Sequence, residues 1–209
     1  MTVFLSGVQK DLAWSELEER VKKCTRCALS SSRRNAVFGE GSRTARVIFV
    51  GEAPGADEDA LGLPFVGKAG HLLTQILSSV GIDRRDVFIT NIVKCRPPEN
   101  RAPVPDEMMD CAPYLEAQLA LLSPPLIVCL GNTPTKWLLK TTEGITALRG
   151  RWFQWRGSLL LPMFHPSYLL RNESKKKGSP KELTWRDINA LREKMDALAG
   201  ENIKGGRSS

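Results

Sequence analysis

Residues 47–55 have the sequence VIFVGEAPG, in which an unbroken apolar run leads directly into a glycine and a carboxylate. The run is rich in β-branched residues and does not alternate with polar ones, which is typical of a strand covered on both faces of a sheet. Three further runs of this kind occupy residues 87–90, 126–130 and 159–161. The four segments predict a central four-stranded parallel sheet.

Helical patterns lie before, between and after these runs. Pro113 lies inside one of them and predicts a kink or a division there. Strands that alternate with helices indicate an α/β fold. We expect a single three-layer α/β/α domain over residues 1–200, followed by a flexible tail over 201–209. The spacing of apolar residues predicts helices over 11–23, 68–80, 105–122, 132–140 and 184–198.

The composition is that of an ordinary folded protein. The chain has 209 residues, of which 42% are hydrophobic and 25% charged, and these values exclude disordered and low-complexity classes. No apolar run approaches the roughly 18–20 residues of a transmembrane helix, so we expect no membrane association. The N-terminus lacks a signal-peptide pattern, and the odd count of five Cys argues against disulfides. Both observations predict a cytoplasmic protein.

The charge is unevenly distributed. Over the whole chain, 30 Lys and Arg exceed 23 Asp and Glu by 7. Residues 1–135 contain 15 basic and 16 acidic side chains, whereas residues 136–209 contain 15 and 7. Such a basic third is typical either of a solvated surface or of a face for a polyanion such as nucleic acid, and the charge alone leaves both open.

Polar side chains follow the predicted strands where they end. Glu52 follows the first strand, Asn91 the second and His165 the fourth, and a turn that begins at Gly131 follows the third. Because the carboxyl ends of parallel strands share one edge of the sheet, we expect these groups to share a pocket, with Phe65 on a nearby loop. An amide can read a planar heterocycle, an aromatic ring can stack on it, and an imidazole can stabilise charge on it as it leaves. Together with the basic third, these residues predict base excision from DNA.

The cysteines predict a metal or redox site. Cys24 and Cys27 form a C-x2-C motif, and Cys95 and Cys111 follow at a distance. Four thiols that gather in the fold suit either zinc or an iron–sulfur cluster, and the spacing does not choose between them. A C-x2-C redox pair is a third interpretation. Cys129 lies within a predicted strand and is expected to be a buried thiol.

Four motifs together resemble the family 4 uracil-DNA glycosylases. They are GEAPG at 51–55, PFVGKAG at 64–70, TNIVKCRPP at 90–98 and HPSYLLR at 165–171. The resemblance implies hydrolysis of the N-glycosidic bond of deoxyuridine in double- or single-stranded DNA. That reaction releases uracil and leaves an abasic site for base excision repair. The resemblance also implies a [4Fe–4S] cluster bound by the four cysteines of the predicted metal site, Cys24, Cys27, Cys95 and Cys111.

The resemblance also implies a role for each residue of these motifs. Phe65 would stack on the uracil of a flipped nucleotide, Asn91 would accept from N3–H and donate to O4, and His165 would stabilise negative charge at O2. Leu169 would fill the gap that the flipped base leaves in the DNA. The uracil pocket would be completed by Gly51, Ala53 and Glu58. The DNA phosphates would be held by Lys94, Arg101, Ser167 and Arg171.

The group that positions the attacking water stays open at the level of sequence. Glu52, Glu58 and Asn100 are candidates, with Glu52 favoured by its position. Glu58 is also a candidate for excluding the 5-methyl group of thymine. The stretch 98–103 lacks a basic insert through which one relative traps uracil-DNA covalently, so we expect turnover. The alternative is a non-catalytic or covalently trapping uracil-DNA-binding iron–sulfur protein, and in either case we expect a monomer.

Overall fold

A six-stranded sheet forms the centre of the computed structural model, which describes residues 6–205 and the side chains of residues 6–200. Its spatial order is β1-β3-β2-β4-β6-β5. The strands β2, β3, β4 and β6 pair in parallel, which confirms the predicted four-stranded parallel core. The strands are β1 (Glu40–Gly41), β2 (Val47–Gly51), β3 (Phe88–Asn91), β4 (Leu126–Leu130), β5 (Phe153–Trp155) and β6 (Ser158–Met163).

The sequence pattern does not predict the two edge strands. β1 pairs antiparallel with β3, and β5 pairs antiparallel with β6. They have two and three residues, which is too short for a period of two to be visible. The complete sheet is therefore mixed, with a parallel centre and an antiparallel strand at each edge.

The five predicted helices are present, although the first begins at Gly7 instead of residue 11. Three short helices, Ala56–Leu61, Ile145–Leu148 and Pro166–Leu170, are not predicted by the sequence. Pro113 does not divide α4, because it lies on the exposed face, where the carbonyl that loses its donor can bind water. α8 begins before residue 184 and continues past the predicted boundary at residue 200, while residues 206–209 lie outside the described residues. The α-helices are α1 (Gly7–Lys22), α2 (Ala56–Leu61), α3 (Lys68–Ser79), α4 (Pro105–Leu122), α5 (Asn132–Leu139), α6 (Ile145–Leu148), α7 (Pro166–Leu170) and α8 (Pro180–Gly205).

The sheet separates two hydrophobic cores, and this makes the domain three-layered. Ile48, Val50 and Ile127 point to one face, where they join side chains of α1 and α4. Phe49 and Val128 point to the other face, where they join side chains of α3 and α8. Successive residues of an unbroken apolar strand thus serve opposite layers, which explains why the runs do not alternate with polar residues. None of the helices in the described range is both long and apolar enough to cross a membrane.

The start of α3 lies directly against the loop that carries Phe65. A Cβ atom added to Gly70 would lie 1.8 Å from the backbone oxygen of Phe65, and backbone cannot move aside as a side chain can. Gly200, within α8, has no heavy atom within 4 Å of such a Cβ. A methyl group therefore fits at the exposed Gly200 but not at the buried Gly70.

We expect Gly70→Ala to lower the free energy of unfolding by about 1–3 kcal/mol, because the added methyl forces the Phe65 loop away from α3. The matched Gly200→Ala variant should raise it by about 0.5–1 kcal/mol, because Ala lowers the conformational entropy of the unfolded chain. Guanidinium unfolding followed by circular dichroism measures both. Equal effects of the two substitutions would contradict the close contact at Gly70.

Candidate active site

A cavity of about 590 Å³ lies at the carboxyl ends of the parallel strands. It gathers side chains from the ends of β2, β3 and β6 and from the loops after α2 and β3, as the sequence pattern predicts. The predicted site residues that line it are Glu52, Ala53, Glu58, Phe65, Asn91, Asn100, Arg101, His165, Ser167 and Arg171.

Asn91 is the last residue of β3 and lies at the bottom of this cavity. Asn91 is 1% exposed, and its Oδ1 is buried without a hydrogen-bond partner. Every other buried side-chain nitrogen or oxygen in the described part of the chain has a partner. An unpaired buried acceptor costs about 1–3 kcal/mol, so such an atom is typical of a site that a ligand completes. Gly51 lies beside it in the register of β2 with β3, and a Cβ there would come within 2.3 Å of that same Oδ1. Gly51 therefore keeps the approach to the amide open.

Phe65 forms one wall of the cavity and has a backbone conformation unusual for its type. Its φ is +51°, a left-handed value that costs a non-glycine residue about 1–2 kcal/mol. Its ring centroid lies 5.6 Å from that of the His165 imidazole, with 36° between the planes. The ring, the imidazole and the Asn91 amide therefore line the same cavity.

Glu58 holds the Phe65 loop by its backbone. Its Oε1 accepts from the N–H groups of Val66 and Gly67, each at 2.9 Å, and its Oε2 accepts from the N–H of Gly55 at 3.0 Å. Both carboxylate oxygens are thus engaged in joining two loops. Glu58 also lines the cavity, and its proposed roles toward water and a 5-methyl group stay predictions.

Glu52 and Asn100 differ in how far their oxygens are already engaged. Glu52 lines the cavity, and its Oε2 accepts from the hydroxyl of Thr133 at the start of α5. Asn100 has a φ of +56°, and its Oδ1 accepts from Arg96 Nε at 2.8 Å. Glu52 keeps a whole second carboxylate oxygen for a further donor, whereas the Asn100 side chain has one acceptor oxygen, which retains a single lone pair beside the bond from Arg96.

His165 follows β6 and precedes α7, and its environment defines its protonation. Burial, followed by the charge of Arg171, lowers the pKa of His165 to about 4, against the smaller opposing effect of Glu58. Its Nδ1 accepts from the backbone N–H of Ser167 at 3.1 Å and lies 2.8 Å from the Ser167 hydroxyl oxygen. An Nδ1 that accepts leaves the proton on Nε2, so a neutral imidazole can donate from Nε2.

The role of Ser167 at His165 is not predicted by the sequence. The resemblance indicates a phosphate contact for Ser167, whereas the structure gives it a contact with the imidazole. The order His-Pro-Ser at residues 165–167 could have indicated this contact, because the backbone N–H of a Ser two residues after a helix-capping His can donate to the His side chain.

Two predicted DNA contacts are wrong. The Lys94 side chain is buried, and its Nζ donates to Thr90 Oγ1, the Asn91 backbone oxygen and Gln118 Oε1 at 2.7–2.8 Å, so it cannot reach a phosphate. Leu169 is 2% exposed, because α7 turns that side chain inward and presents its neighbours Tyr168 and Leu170 to solvent. Arg101 remains accessible, although its guanidinium also pairs with Glu107.

The four cysteines of the predicted metal site gather around one small cavity beside α1 and α4. Arg33 Nη1 donates to Cys95 Sγ at 3.0 Å, and the backbone N–H of Lys94 donates to Cys111 Sγ at 3.3 Å. Within residues 6–200, no three His, Cys, Asp or Glu side chains converge closely enough to bind one metal ion. The four thiols surround a space instead of meeting at a point. Cys129 is separate from them and fully buried in β4, as predicted.

Comparison with known proteins agrees with this geometry. The sequence model of the uracil DNA glycosylase superfamily matches residues 38–189. A Type-4 uracil-DNA glycosylase of Thermotoga maritima is 50% identical over 160 residues, covering 76% of this chain and 83% of that protein. The corresponding protein of Saccharolobus solfataricus is 44% identical over 165 residues, covering 75% and 76%. A Type-5 uracil-DNA glycosylase of Pyrobaculum aerophilum is 29% identical over 199 residues, covering 79% and 88%.

The chain therefore belongs to the uracil DNA glycosylase superfamily, and within it to the Type-4 family. This agrees with the motifs of the sequence, all four of which contribute residues to the cavity. The motif at residues 90–98 contributes Asn91 and Pro97 to the cavity and also Cys95 to the cysteine site.

We expect His165 to stay neutral, with its proton on Nε2, from pH 8 down to about pH 5, because burial lowers its pKa to about 4. Nitrogen-15 NMR of the imidazole, assigned with His165→Ala, measures both the charge and the tautomer. An unfolded imidazole takes up a proton near its ordinary pKa of about 6.5. Stability should therefore fall as the pH decreases from about 6.5 to about 4. Protonation of His165 near pH 6.5 in the folded protein would contradict the expectation.

Proposed function

We propose that this protein is a uracil-DNA glycosylase that flips deoxyuridine into the 590 Å³ cavity and hydrolyses its N-glycosidic bond. The unpaired Oδ1 of Asn91 is the observation that carries the proposal. This buried oxygen would accept a hydrogen bond from the imide N–H of uracil. The Type-4 uracil-DNA glycosylases that resemble the chain support the same reaction.

The Asn91 amide would read the base. Uracil presents an N3–H donor next to the O4 acceptor, which suits an amide that offers Oδ1 and Nδ2. Cytosine presents an acceptor at N3 and a donor at N4, so each group of the amide would meet its like, buried and unpaired. Such mismatches discriminate strongly in a closed site. The ring of Phe65 would stack on the base while this reading takes place, which contributes about 1–3 kcal/mol.

Catalysis would rest on His165 and Glu52. The C–N bond breaks through a transition state in which the sugar gains positive character and the uracil gains negative charge. Nε2–H of the neutral imidazole would donate to O2, where that charge develops, so no proton needs to be lost from the enzyme. Glu52, held by Thr133, has a free oxygen with which to orient the attacking water. We favour Glu52 over Asn100 because Glu52 offers a carboxylate oxygen that accepts no bond, whereas the single oxygen of Asn100 already accepts one from Arg96.

The DNA would lie across the rim of the cavity. Arg171, Arg101 and Ser167 line the rim and would contact phosphates. The exposed apolar side chains Tyr168 and Leu170, rather than Leu169, would enter the gap left by the flipped nucleotide. A cytoplasmic location and a monomeric state remain predictions from the sequence.

The four-cysteine cavity would hold a [4Fe–4S] cluster. A cubane takes one thiolate on each of four irons, and the four cysteines that line this one cavity supply that donor set. Burial raises the pKa of the Cys95 and Cys111 thiols, and the hydrogen bonds that Arg33 and the Lys94 backbone N–H donate to these sulfurs oppose that shift. When bound, the cluster would supply structural cross-linking between the segment after α1, the loop after β3 and α4. No catalytic step requires it.

We expect the wild-type protein to convert a uracil-containing oligonucleotide into abasic DNA, and Asn91→Asp to remove uracil more slowly and to gain measurable cytosine excision. A second acceptor in place of the amide donor repels O4 of uracil and attracts the N4 amino group of cytosine. Single-turnover strand nicking at U:G, U:A, C:G and single-stranded U measures both rates. His165→Ala, which keeps the base reader, is the catalytic control and should lose most of the rate while still binding DNA.

Three results of this assay would contradict the proposal in different ways. Binding without abasic product would favour a non-catalytic module. A product that stays covalently joined to the protein would favour trapping. An Asn91→Asp variant with full rate and strict uracil selectivity would contradict the reading role of Asn91.

We expect anaerobically purified protein to be brown, to absorb near 400 nm and to contain about four irons per chain. Cys111→Ser should lower the iron content, whereas Cys129→Ser should leave it unchanged, because Cys129 lies in β4, apart from the four-cysteine cavity. Iron and zinc analysis together with the absorption spectrum measure this. Colourless, active protein with one zinc per chain would overturn the cluster assignment.

A further inference from the structure

The loop that carries Phe65 is held from two sides by opposite charges. Glu58 binds the backbone N–H groups after Phe65. The carbonyl groups of Pro64 and Phe65 point the other way, toward Arg84, which lies in the short 3₁₀ turn before β3. Neither the motifs of the sequence nor the lining of the cavity includes Arg84.

Arg84 makes a specific set of contacts with this loop. Its Nη1 donates to the Phe65 oxygen at 2.9 Å and to Thr74 Oγ1 at 3.3 Å. Its Nη2 donates to the Pro64 oxygen and pairs with Glu40 Oε2 at 3.2 Å. The side chain is 18% exposed, so these charge-assisted bonds are largely shielded from water. A guanidinium can hold two successive carbonyls in this way, whereas a Lys ammonium is a single point charge.

The contact with the Phe65 oxygen matters because Phe65 has a positive φ. A strained conformation persists only where its surroundings hold it, and here Arg84 holds the carbonyl of the strained residue itself. Release of that carbonyl would let the peptide rotate and carry the ring away from the imidazole, which lies 5.6 Å from it between centroids.

We infer that Arg84 is a positioning residue for the Phe65 ring, which it holds ready to stack on the flipped base without touching the base itself. The inference rests on the proposed function for its catalytic consequence. The stacking surface is then assembled before DNA binds, so binding does not have to order it.

The test is a double-mutant cycle of Arg84→Met with Phe65→Ala, measured by single-turnover excision of uracil and by inhibition with free uracil. Arg84→Met should lower the excision rate between about tenfold and about a hundredfold and weaken inhibition by uracil. In the Phe65→Ala background it should have no further effect, because no ring is left to position. The neighbouring Arg85→Met is the matched control, since Arg85 is 88% exposed and pairs with Asp83 alone among the described side chains.

Each outcome decides the inference. An unchanged excision rate in Arg84→Met, or an equal loss with and without the Phe65 ring, would overturn it. If circular dichroism shows that Arg84→Met does not fold, Arg84→Lys enters the same cycle. A nuclear Overhauser contact between the Phe65 and His165 rings, present in Arg85→Met and lost in Arg84→Met, supports the inference without requiring activity. Persistence of that contact in Arg84→Met overturns it, whereas failure of the wild type to excise uracil is a failure of the proposed function alone.

Discussion

Parallel pairing of the central strands is the constraint on which the rest of the structure depends. The register of β2 with β3 sets Gly51, which has no side chain, directly beside Asn91 and its amide. The pairing of β4 with β6, which ends at Leu130 and Met163, brings Gly131 and His165 to the same edge. A slip of one residue in either pair would turn these side chains to the opposite face of the sheet, where they would no longer line the cavity.

The site is held by backbone contacts more than by contacts among its own side chains. Glu58 binds three amides, Arg84 binds two carbonyls, and Ser167 returns an amide to the imidazole. Glu58 and Arg84 thus shape the loops, while Glu52, Arg101 and Arg171 line the cavity beside the uncharged Phe65 ring, Asn91 amide and His165 imidazole. Uncharged dipoles that are already fixed can stabilise charge as it appears on a substrate without first being desolvated as ions.

The sequence predicts the parallel core and the gathering of its strand ends, because unbroken apolar runs and the polar residues after them report both directly. It does not predict β1 and β5, which are too short to carry a pattern. Lys94 is misread because a lysine inside a functional motif suggests an exposed phosphate contact, and only the fold shows that it is enclosed by Thr90, Asn91 and Gln118. Leu169 is misread because the inward side of a five-residue helix cannot be inferred from so short a period. The role of Arg84 cannot be predicted from the sequence, because the groups that it binds on the Phe65 loop are backbone carbonyls, which every residue has.

The burial of Lys94 between the cavity and the cysteine site limits the insertions and deletions that this part of the chain can accept. Within residues 91–95 the chain carries the Asn91 amide that lines the cavity, the buried Lys94 amine that donates to the backbone oxygen of Asn91, and a thiol of the cysteine site. Asn91 in the cavity and Cys95 in the cysteine site are therefore separated by only three residues in the chain, and an insertion or deletion between them would disturb both sites at once.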